Sequence, residues 1–140
     1  MDNIRLTYEV EGGDLTQAGE ASAQVKQTLR KLGFDPDTIR RVSVCMYEGE
    51  INMVIHADGG TATVDIGLSD ITITLADQGP GIPDIDQAMQ AGYTTAGEVA
   101  RDLGFGAGMG LPNMKKYSDE FDIQSTVGVG TTVKMLVNID

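Results

Sequence analysis

Apolar and polar positions alternate in some stretches of this chain and recur with helical spacing in others. Residues 4–11 alternate, which predicts a β-strand. Apolar residues between 18 and 32 recur every three or four positions and predict an amphipathic helix. Asp35 before Pro36 is a typical helix start, an N-cap residue followed by proline at the first helical position. We expect this second helix to continue to about residue 57.

The middle of the chain changes to strand spacing. A pair of glycines at 59–60 is expected to end the second helix. The alternating runs 62–68 and 71–75 predict two antiparallel strands joined by a tight turn at 69–70.

The last third of the chain predicts one helix and two strands. The helix is expected at about 111–118, a strand near 121–125, and an alternating strand at 133–139 after a glycine turn at 128–130. Summed over the chain, the pattern predicts an α+β fold, a two-layer sandwich of a mostly antiparallel sheet with helices on one face. A chain of 140 residues is expected to form a single domain, 1–140.

Alternate positions before Pro112 are glycine, and a loop of this kind favours anion binding. Glycines in such a run leave backbone N–H groups open to a close ligand, and proline favours the first turn of a helix. A helix that begins there would point its free N–H groups at the same anion, which predicts a phosphate site. A flexible loop above a helix start is the alternative. The residues concerned are Gly104, Gly106, Gly108, Gly110 and Leu111.

A second glycine motif runs from Asp77 to Ile82. Asp77 lies where a buried strand meets a glycine turn, so it is either an acceptor for the exocyclic amine of adenine or a turn-capping residue. Gly79 and Gly81 would let a flat base lie against the backbone. Thr131 has a hydroxyl that can support the same recognition, although simple β-propensity explains it equally well.

Glu48, Asn52 and His56 are spaced by four residues, which places them on one stripe of the second helix. An amide oxygen suits Mg²⁺, which prefers oxygen ligands, so Asn52 is the candidate metal ligand. Glu48 can orient or deprotonate an attacking hydroxyl. His56 is expected to pack at the helix end. A solvated polar edge is the alternative for all three.

Charge and cysteine content restrict the partners. Ten basic against 21 acidic residues give a formal net charge of −11, which argues against nucleic-acid and anionic-membrane binding. The single Cys45 cannot form an internal disulfide, and the N-terminus lacks the features of a signal peptide, so we expect a cytoplasmic protein.

A long polar stretch precedes the glycine loop. Residues 83–103 are interrupted by Gly92 and Gly97, with a short helix expected near 86–90. A stretch this long is usually functional in a compact domain, and we expect a lid at about 84–108.

The motifs and their order resemble those of the Bergerat-fold ATPases. They are Glu48-x-x-x-Asn52, Asp77-x-Gly79-x-Gly81-Ile82, Gly104-x-Gly106-x-Gly108-x-Gly110-Leu111 and Gly128-x-Gly130-Thr131. Within that superfamily the chain is similar to the anti-sigma factor serine kinases and to the stressosome switch kinase.

This resemblance implies ATP and Mg²⁺, with Glu48 as general base, Asn52 as Mg²⁺ ligand and Asp77 as adenine reader. It implies a serine/threonine protein kinase acting on a small regulatory protein partner. Two alternatives stay open: a nucleotide-dependent switch that binds a sigma factor or a phosphatase without transfer, and, less favoured, the catalytic half of a histidine kinase. A homodimer is a further alternative to a monomer.

Overall fold

The computed structural model describes most of the chain as one sheet with helices packed on it. The described residues are 4–12, 19–56, 59–82, 84–85, 89 and 110–139. In chain order the elements are β1 (Ile4–Glu11), α1 (Glu20–Lys31), α2 (Pro36–His56), β2 (Gly59–Ile66), β3 (Asp70–Asp77), α3 (Gly110–Tyr117), β4 (Glu120–Thr126) and β5 (Gly130–Asn138).

The five strands are antiparallel and follow the order β1-β2-β3-β5-β4. The central strand β3 pairs with β2 on one side and with β5 on the other, and Asp77 at its end faces Thr131 of β5. The predicted α+β class, with an antiparallel sheet and helices on one face, is confirmed.

The core lies between the helices and one face of the sheet. Alternate residues of β3 are buried, including Ile71, Ile73 and Leu75, and α2 buries Val42 and Met46 against them. Burial of each such side chain contributes about 1.5–3 kcal/mol, so the alternation read from the sequence is what fixes the buried face.

The start of α2 follows the predicted capping. The amides of Asp37 and Thr38 donate to Oδ1 of Asp35, at 2.8 and 3.1 Å. These bonds satisfy two of the N–H groups that a helix start leaves open. They also lower the pKa of the Asp35 carboxyl, chiefly through the bond from Thr38.

Two details differ from the sequence prediction. The glycines at 59–60 belong to β2, where Gly59 pairs with Glu11. Gly59 has φ 85°, and a Cβ there would lie 2.1 Å from the carbonyl oxygen of Val10, so this glycine serves close strand pairing. Leu68 lies in the β2–β3 turn, where it is 72% exposed, and not in a strand.

Much of the predicted nucleotide loop lies outside the described residues. This applies to Gly104, Gly106 and Gly108, and to the predicted lid at 84–108 apart from residues 84, 85 and 89. In the part that is described, the amide of Met89 donates to the carbonyl of Ile85 at 2.9 Å, the spacing of one helical turn. None of the described helices is long and apolar enough to cross a membrane.

Candidate functional site

Gly49 allows α2 to lie directly against β3. A Cβ on Gly49 would lie 1.9 Å from Cδ1 of Leu75, so a side chain at this position would push the helix away from the sheet. One turn further along, Met53 lies over the neighbouring strand, since a Cβ on Gly60 would be 2.9 Å from its sulfur. The helix therefore crosses the sheet closely at the end where β3 finishes.

This crossing brings the predicted motifs to one end of the molecule. The same Cβ on Gly60 would lie 3.1 Å from Cα of Asp77, which ends β3. Glu48 and Asn52 belong to the stretch of α2 that lies over this region, and both are half-buried. The structure thus carries an amide and two carboxylates, predicted from two separate patterns, toward one end of the sheet.

Asp77 is held by backbone groups. Its Oδ1 accepts hydrogen bonds from the amide of Gly79 at 2.9 Å and from the amide of Thr131 at 3.2 Å. The first bond caps the glycine turn, so the turn-capping role considered from the sequence is present. The second crosses to β5. Among the described residues both bonds end on the same carboxylate oxygen, which fixes the orientation of the other.

Ser125, which the sequence reasoning missed, connects the glycine motif to β5. Its hydroxyl accepts from the amide of Ile82 at 2.7 Å and lies 2.8 Å from Oγ1 of Thr131, which is buried. Ser125 and Thr131 are direct partners across β4 and β5. The glycine turn at 128–130 was the signal that could have identified this serine, because a hairpin around it pairs Ser125 with Thr131.

The β4–β5 hairpin also supports the turn after Asp77. The amide of Gly128 donates to the carbonyl of Pro80 at 2.9 Å. Gly81 has φ 80°, and a Cβ there would lie 2.5 Å from the carbonyl oxygen of Thr126. Contact with this hairpin therefore requires glycine at position 81, in addition to any contact that a flat base would make.

Glu48 of α2 meets Asn113 of α3. Burial raises the pKa of the Glu48 carboxyl above its ordinary value, and a hydrogen bond from the Asn113 side chain acts in the opposite direction. A half-buried carboxylate with a raised pKa is the kind of group that serves as a general base. The sequence reasoning missed Asn113, because the face that α3 turns to α2 depends on their packing.

Further contacts fix α3 against α2. Nε of Arg41 donates to the carbonyl of Tyr117 at 3.3 Å, and the same guanidinium forms an ion pair with Asp119. The amide of Asn138, and then Arg41, lower the pKa of the Asp119 carboxyl. The thiol of Cys45 lies 3.7 Å from the carbonyl of Met114, and burial raises its pKa to about 12. The helix that begins at Gly110 is therefore attached to the helix that carries Glu48.

The described residues suit a metal ion whose coordination shell is completed mainly by phosphate oxygens and water. Among them no group of three or more His, Cys, Asp or Glu side chains gathers as a metal site. Asn52, half-buried, offers one neutral oxygen. Mg²⁺ is commonly held by one or two protein oxygens together with substrate phosphates and water, so a single amide fits this ion and would not fit a structural zinc.

The fold and the position of these residues define a nucleotide-binding class. The model of the histidine kinase-like ATPase domain matches residues 13–137, and the chain belongs to this family. The resemblance found from the motifs is thereby confirmed, and ATP is the nucleotide that the family implies.

Particular relatives narrow the comparison. The chain is 32% identical over 115 residues to the serine/threonine-protein kinase RsbT of Bacillus subtilis, covering 79% of this chain and 80% of the relative. It is 37% identical over 109 residues to the anti-sigma F factor of Caldanaerobacter subterraneus subsp. tengcongensis, covering 73% of each. Both similarities run through most of the two chains compared.

A solved structure shows the same fold at low identity. The RsbU and RsbW domains of a Mycobacterium tuberculosis protein superpose with a TM-score of 0.63 at 16% identity. The superposition covers 97% of this chain, which spans 32% of that longer chain. At this identity the likeness concerns the fold alone.

Proposed function

We propose that this chain is an ATP-dependent serine/threonine protein kinase that phosphorylates a small regulatory protein of the anti-anti-sigma kind. Membership in an ATPase family supports ATP as the phosphoryl donor. The relatives named as a serine/threonine-protein kinase and as anti-sigma F factors support a protein as the acceptor.

The observation that carries the proposal is the environment of Glu48. Its carboxyl is half-buried, its pKa is raised by burial, and a hydrogen bond from the Asn113 side chain acts against that rise. A carboxylate on a solvated helix surface would show no such shift. A base for a serine or threonine hydroxyl is favoured by a raised pKa, because a more basic carboxylate accepts the proton more readily.

The transfer itself requires little covalent chemistry from the protein. The acceptor hydroxyl oxygen bonds to the γ-phosphorus while the bond from that phosphorus to the bridging oxygen breaks and ADP leaves. We assign the hydroxyl proton to the Glu48 carboxylate. Asn113 keeps the accepting oxygen aimed at it. The half-buried setting strengthens this contact, since fewer water molecules compete for the carboxylate.

For the nucleotide, we assign the adenine amine to the second oxygen of Asp77, Oδ2. The two backbone bonds to Oδ1 hold the carboxylate in place before the nucleotide arrives, which reduces the entropy lost on binding. Thr131 would support the same base. The remaining contacts are predictions from the sequence: Gly79, Gly81 and Ile82 beside the base, and Gly104, Gly106, Gly108, Gly110 and Leu111 at the phosphates.

We assign Asn52 as the Mg²⁺ ligand. When bound with the nucleotide, the ion would neutralise phosphate charge, which a protein of net charge −11 otherwise repels. Asn52 lies one helical turn from Glu48, so the amide and the base act at adjacent positions. We place this activity in the cytoplasm, where the free thiol of Cys45 is stable.

The test is transfer of labelled phosphate from ATP to a protein acceptor. The purified chain is incubated with γ-labelled ATP, Mg²⁺ and each small regulatory protein encoded beside it, followed by mapping of the phosphorylated residue. We expect a labelled serine or threonine with the wild-type chain and labelling that is at least about 10²-fold slower with Glu48→Gln. Labelling of histidine, or no labelling of any acceptor, would contradict the kinase assignment.

A nucleotide-dependent switch is the second candidate, favoured by the relatives named anti-sigma F factors. Such a protein would bind its partner only with ATP and transfer nothing. ATP-dependent complex formation without labelled product in the same incubation would select this alternative.

A further inference from the structure

The helices α1 and α2 form a groove that has Glu48, the proposed base, at one end and is lined by none of the other described site residues. It has a volume of about 860 Å³ and runs along the seam between α1 and α2. Its lining residues recur every three or four positions on each helix, so one continuous stripe of each forms a wall. Ser22, Lys26 and Arg30 belong to the α1 wall, and Ile39, Ser43 and Tyr47 to the α2 wall.

The two helices are antiparallel, so one end of the groove lies at the start of α1 and the other at the connection between α1 and α2. A Cβ on Gly19, at the start of α1, would lie 3.1 Å from Cε1 of Tyr47, late in α2. The Glu50 carboxylate accepts from the amide of Ser22 at 3.0 Å, which fixes the same register. The opposite end is closed by the short connection that contains Phe34.

The charges are unequal along the groove. Lys26, Arg30 and Arg40 lie in the half nearer to the connection, while Glu48 lines the other end. Arg40 forms an ion pair with Asp37, but Lys26 and Arg30 are exposed and form no ion pair within the described part of the chain. A protein of net charge −11 therefore presents a local positive groove here.

The walls are suited to a side-chain contact as well as to charge. Ala23, Ile39 and Val44 contribute apolar surface. The hydroxyl oxygen of Ser43 is buried and has no hydrogen-bond partner among the described residues, an arrangement that usually costs about 1–3 kcal/mol.

We propose that this groove binds an acidic amphipathic helix of the protein substrate. From residue 36 to 48, α2 rises by about 18 Å, the length of about three helical turns. Acidic side chains of the occupant would lie over Lys26 and Arg30, and its apolar face would contact the walls, as in other helix-in-groove complexes. This inference rests on the proposed function, since the bound protein is taken to be the substrate that Glu48 acts on.

Charge also discriminates against other occupants. In a symmetric contact centred on the half that holds Lys26 and Arg30, these cations would face their own copies and repel each other. Anionic lipid would be repelled by the protein as a whole. An acidic protein segment gains from the local positive charge while contacting only the groove.

The probe is a fluorescein-labelled synthetic helix of about 14 residues, with leucines at every third and fourth position and glutamates between them. Anisotropy titration is carried out with the full chain without nucleotide. We expect Lys26→Glu combined with Arg30→Glu to weaken binding at least about tenfold, and raised salt to weaken it for the wild type. Ala23→Trp should weaken binding without a change of charge, because it fills the groove.

The matched control is Lys31→Glu combined with Lys134→Glu, which makes the same charge change at exposed positions outside the groove. We expect it to bind the probe within about twofold of wild type, because its charge changes act on the probe only at long range, where salt screens them. No binding of the acidic probe, or equal losses in the two double variants, would overturn the proposal. Sedimentation would also overturn the proposal if the wild type is a dimer and only the groove variant is a monomer. That result would assign the groove to a second copy of the chain.

The same variants separate this inference from the kinase assignment. Once the labelling experiment has identified an acceptor protein, the groove variant should show a raised KM for this acceptor and an unchanged KM for ATP. If no acceptor is ever labelled, the kinase assignment fails, whereas the probe titration still decides whether the groove binds acidic helices.

Discussion

The strand end of the site and its helix pair are held together by different means. At the strand end, Asp77 and Ser125 accept hydrogen bonds from backbone amides, and Thr131 is a register partner of both. At the helix pair, Glu48 and Asn113 meet through side chains alone. The first arrangement follows from strand pairing, and the second from how two helices pack.

This difference suggests a division of labour. Backbone bonds within a paired sheet leave little freedom, which suits recognition of a rigid base. A side-chain contact between two packed helices acts on one carboxylate alone, which suits a group that takes part in proton transfer. Substitutions at the two places should therefore separate nucleotide binding from transfer.

The largest expected effect is on transfer at the helix pair. Glu48→Gln keeps the shape of the side chain but cannot accept the hydroxyl proton, so the transfer rate should fall about 10²–10⁴-fold. Single-turnover labelling of the acceptor measures it. Glu120→Gln, at an exposed position of β4, is the matched control and should transfer at the wild-type rate. Wild-type turnover by Glu48→Gln would remove Glu48 from the chemistry.

The strand end should instead affect affinity. Asp77→Asn replaces an acceptor oxygen by a donor, and an unmade buried hydrogen bond of about 1–3 kcal/mol corresponds to about a 5- to 150-fold weaker Kd for ATP. Calorimetric titration measures the change, with Asp122→Asn on exposed β4 as the control. If a folded Asp77→Asn protein binds ATP as the wild type does, Asp77 does not read the base.

Asn113→Ala should have a smaller effect, confined to transfer. Without its donor the carboxylate is less well oriented, and we expect about a tenfold lower rate at an unchanged Kd for ATP. Because the hydrogen bond lowers the pKa of Glu48, its loss should raise that pKa and move the acidic limb of the pH–rate profile to higher pH. Asn138→Ala serves as control. An unshifted profile would show that Asn113 does not act through Glu48.

The smallest expected effect is on stability. A carboxyl whose pKa is raised in the folded state binds more protons folded than unfolded between the two pKa values, so ionising Glu48 lowers stability as pH rises through that window. Glu48→Gln removes this loss. We expect its Tm to exceed that of the wild type at neutral pH, and the difference to disappear below the unfolded pKa. A difference that is equal at both pH values would exclude ionisation as the cause.

The sequence predicted elements well where local pattern decides them. Alternation identified β1 and β3, and the Asp35–Pro36 start predicted the beginning of α2, because burial and capping act within a few residues. The prediction that Leu68 belongs to a strand was wrong, because the turn between β2 and β3 is longer than two residues and includes it. The structure confirmed the fold class that the pattern predicted, and the match to the family model confirmed the ATPase family that the motifs indicated.

Contacts that depend on register were harder to predict. Ser125 faces Thr131 only once β4 and β5 have paired, and Asn113 meets Glu48 only once α3 has packed on α2. Neither residue belongs to a motif that spacing alone reveals. The roles of Glu48, Asn52 and Asp77 stay predictions, as do the phosphate contacts of the glycine loop, most of which lies outside the described residues.

One titration decides whether nucleotide binding and phosphoryl transfer depend on different residues. ATP with Mg²⁺ is titrated calorimetrically into Glu48→Gln and Asp77→Asn side by side. We expect a wild-type Kd for Glu48→Gln and a weakened Kd for Asp77→Asn. Equal losses of affinity in the two variants would contradict this expectation.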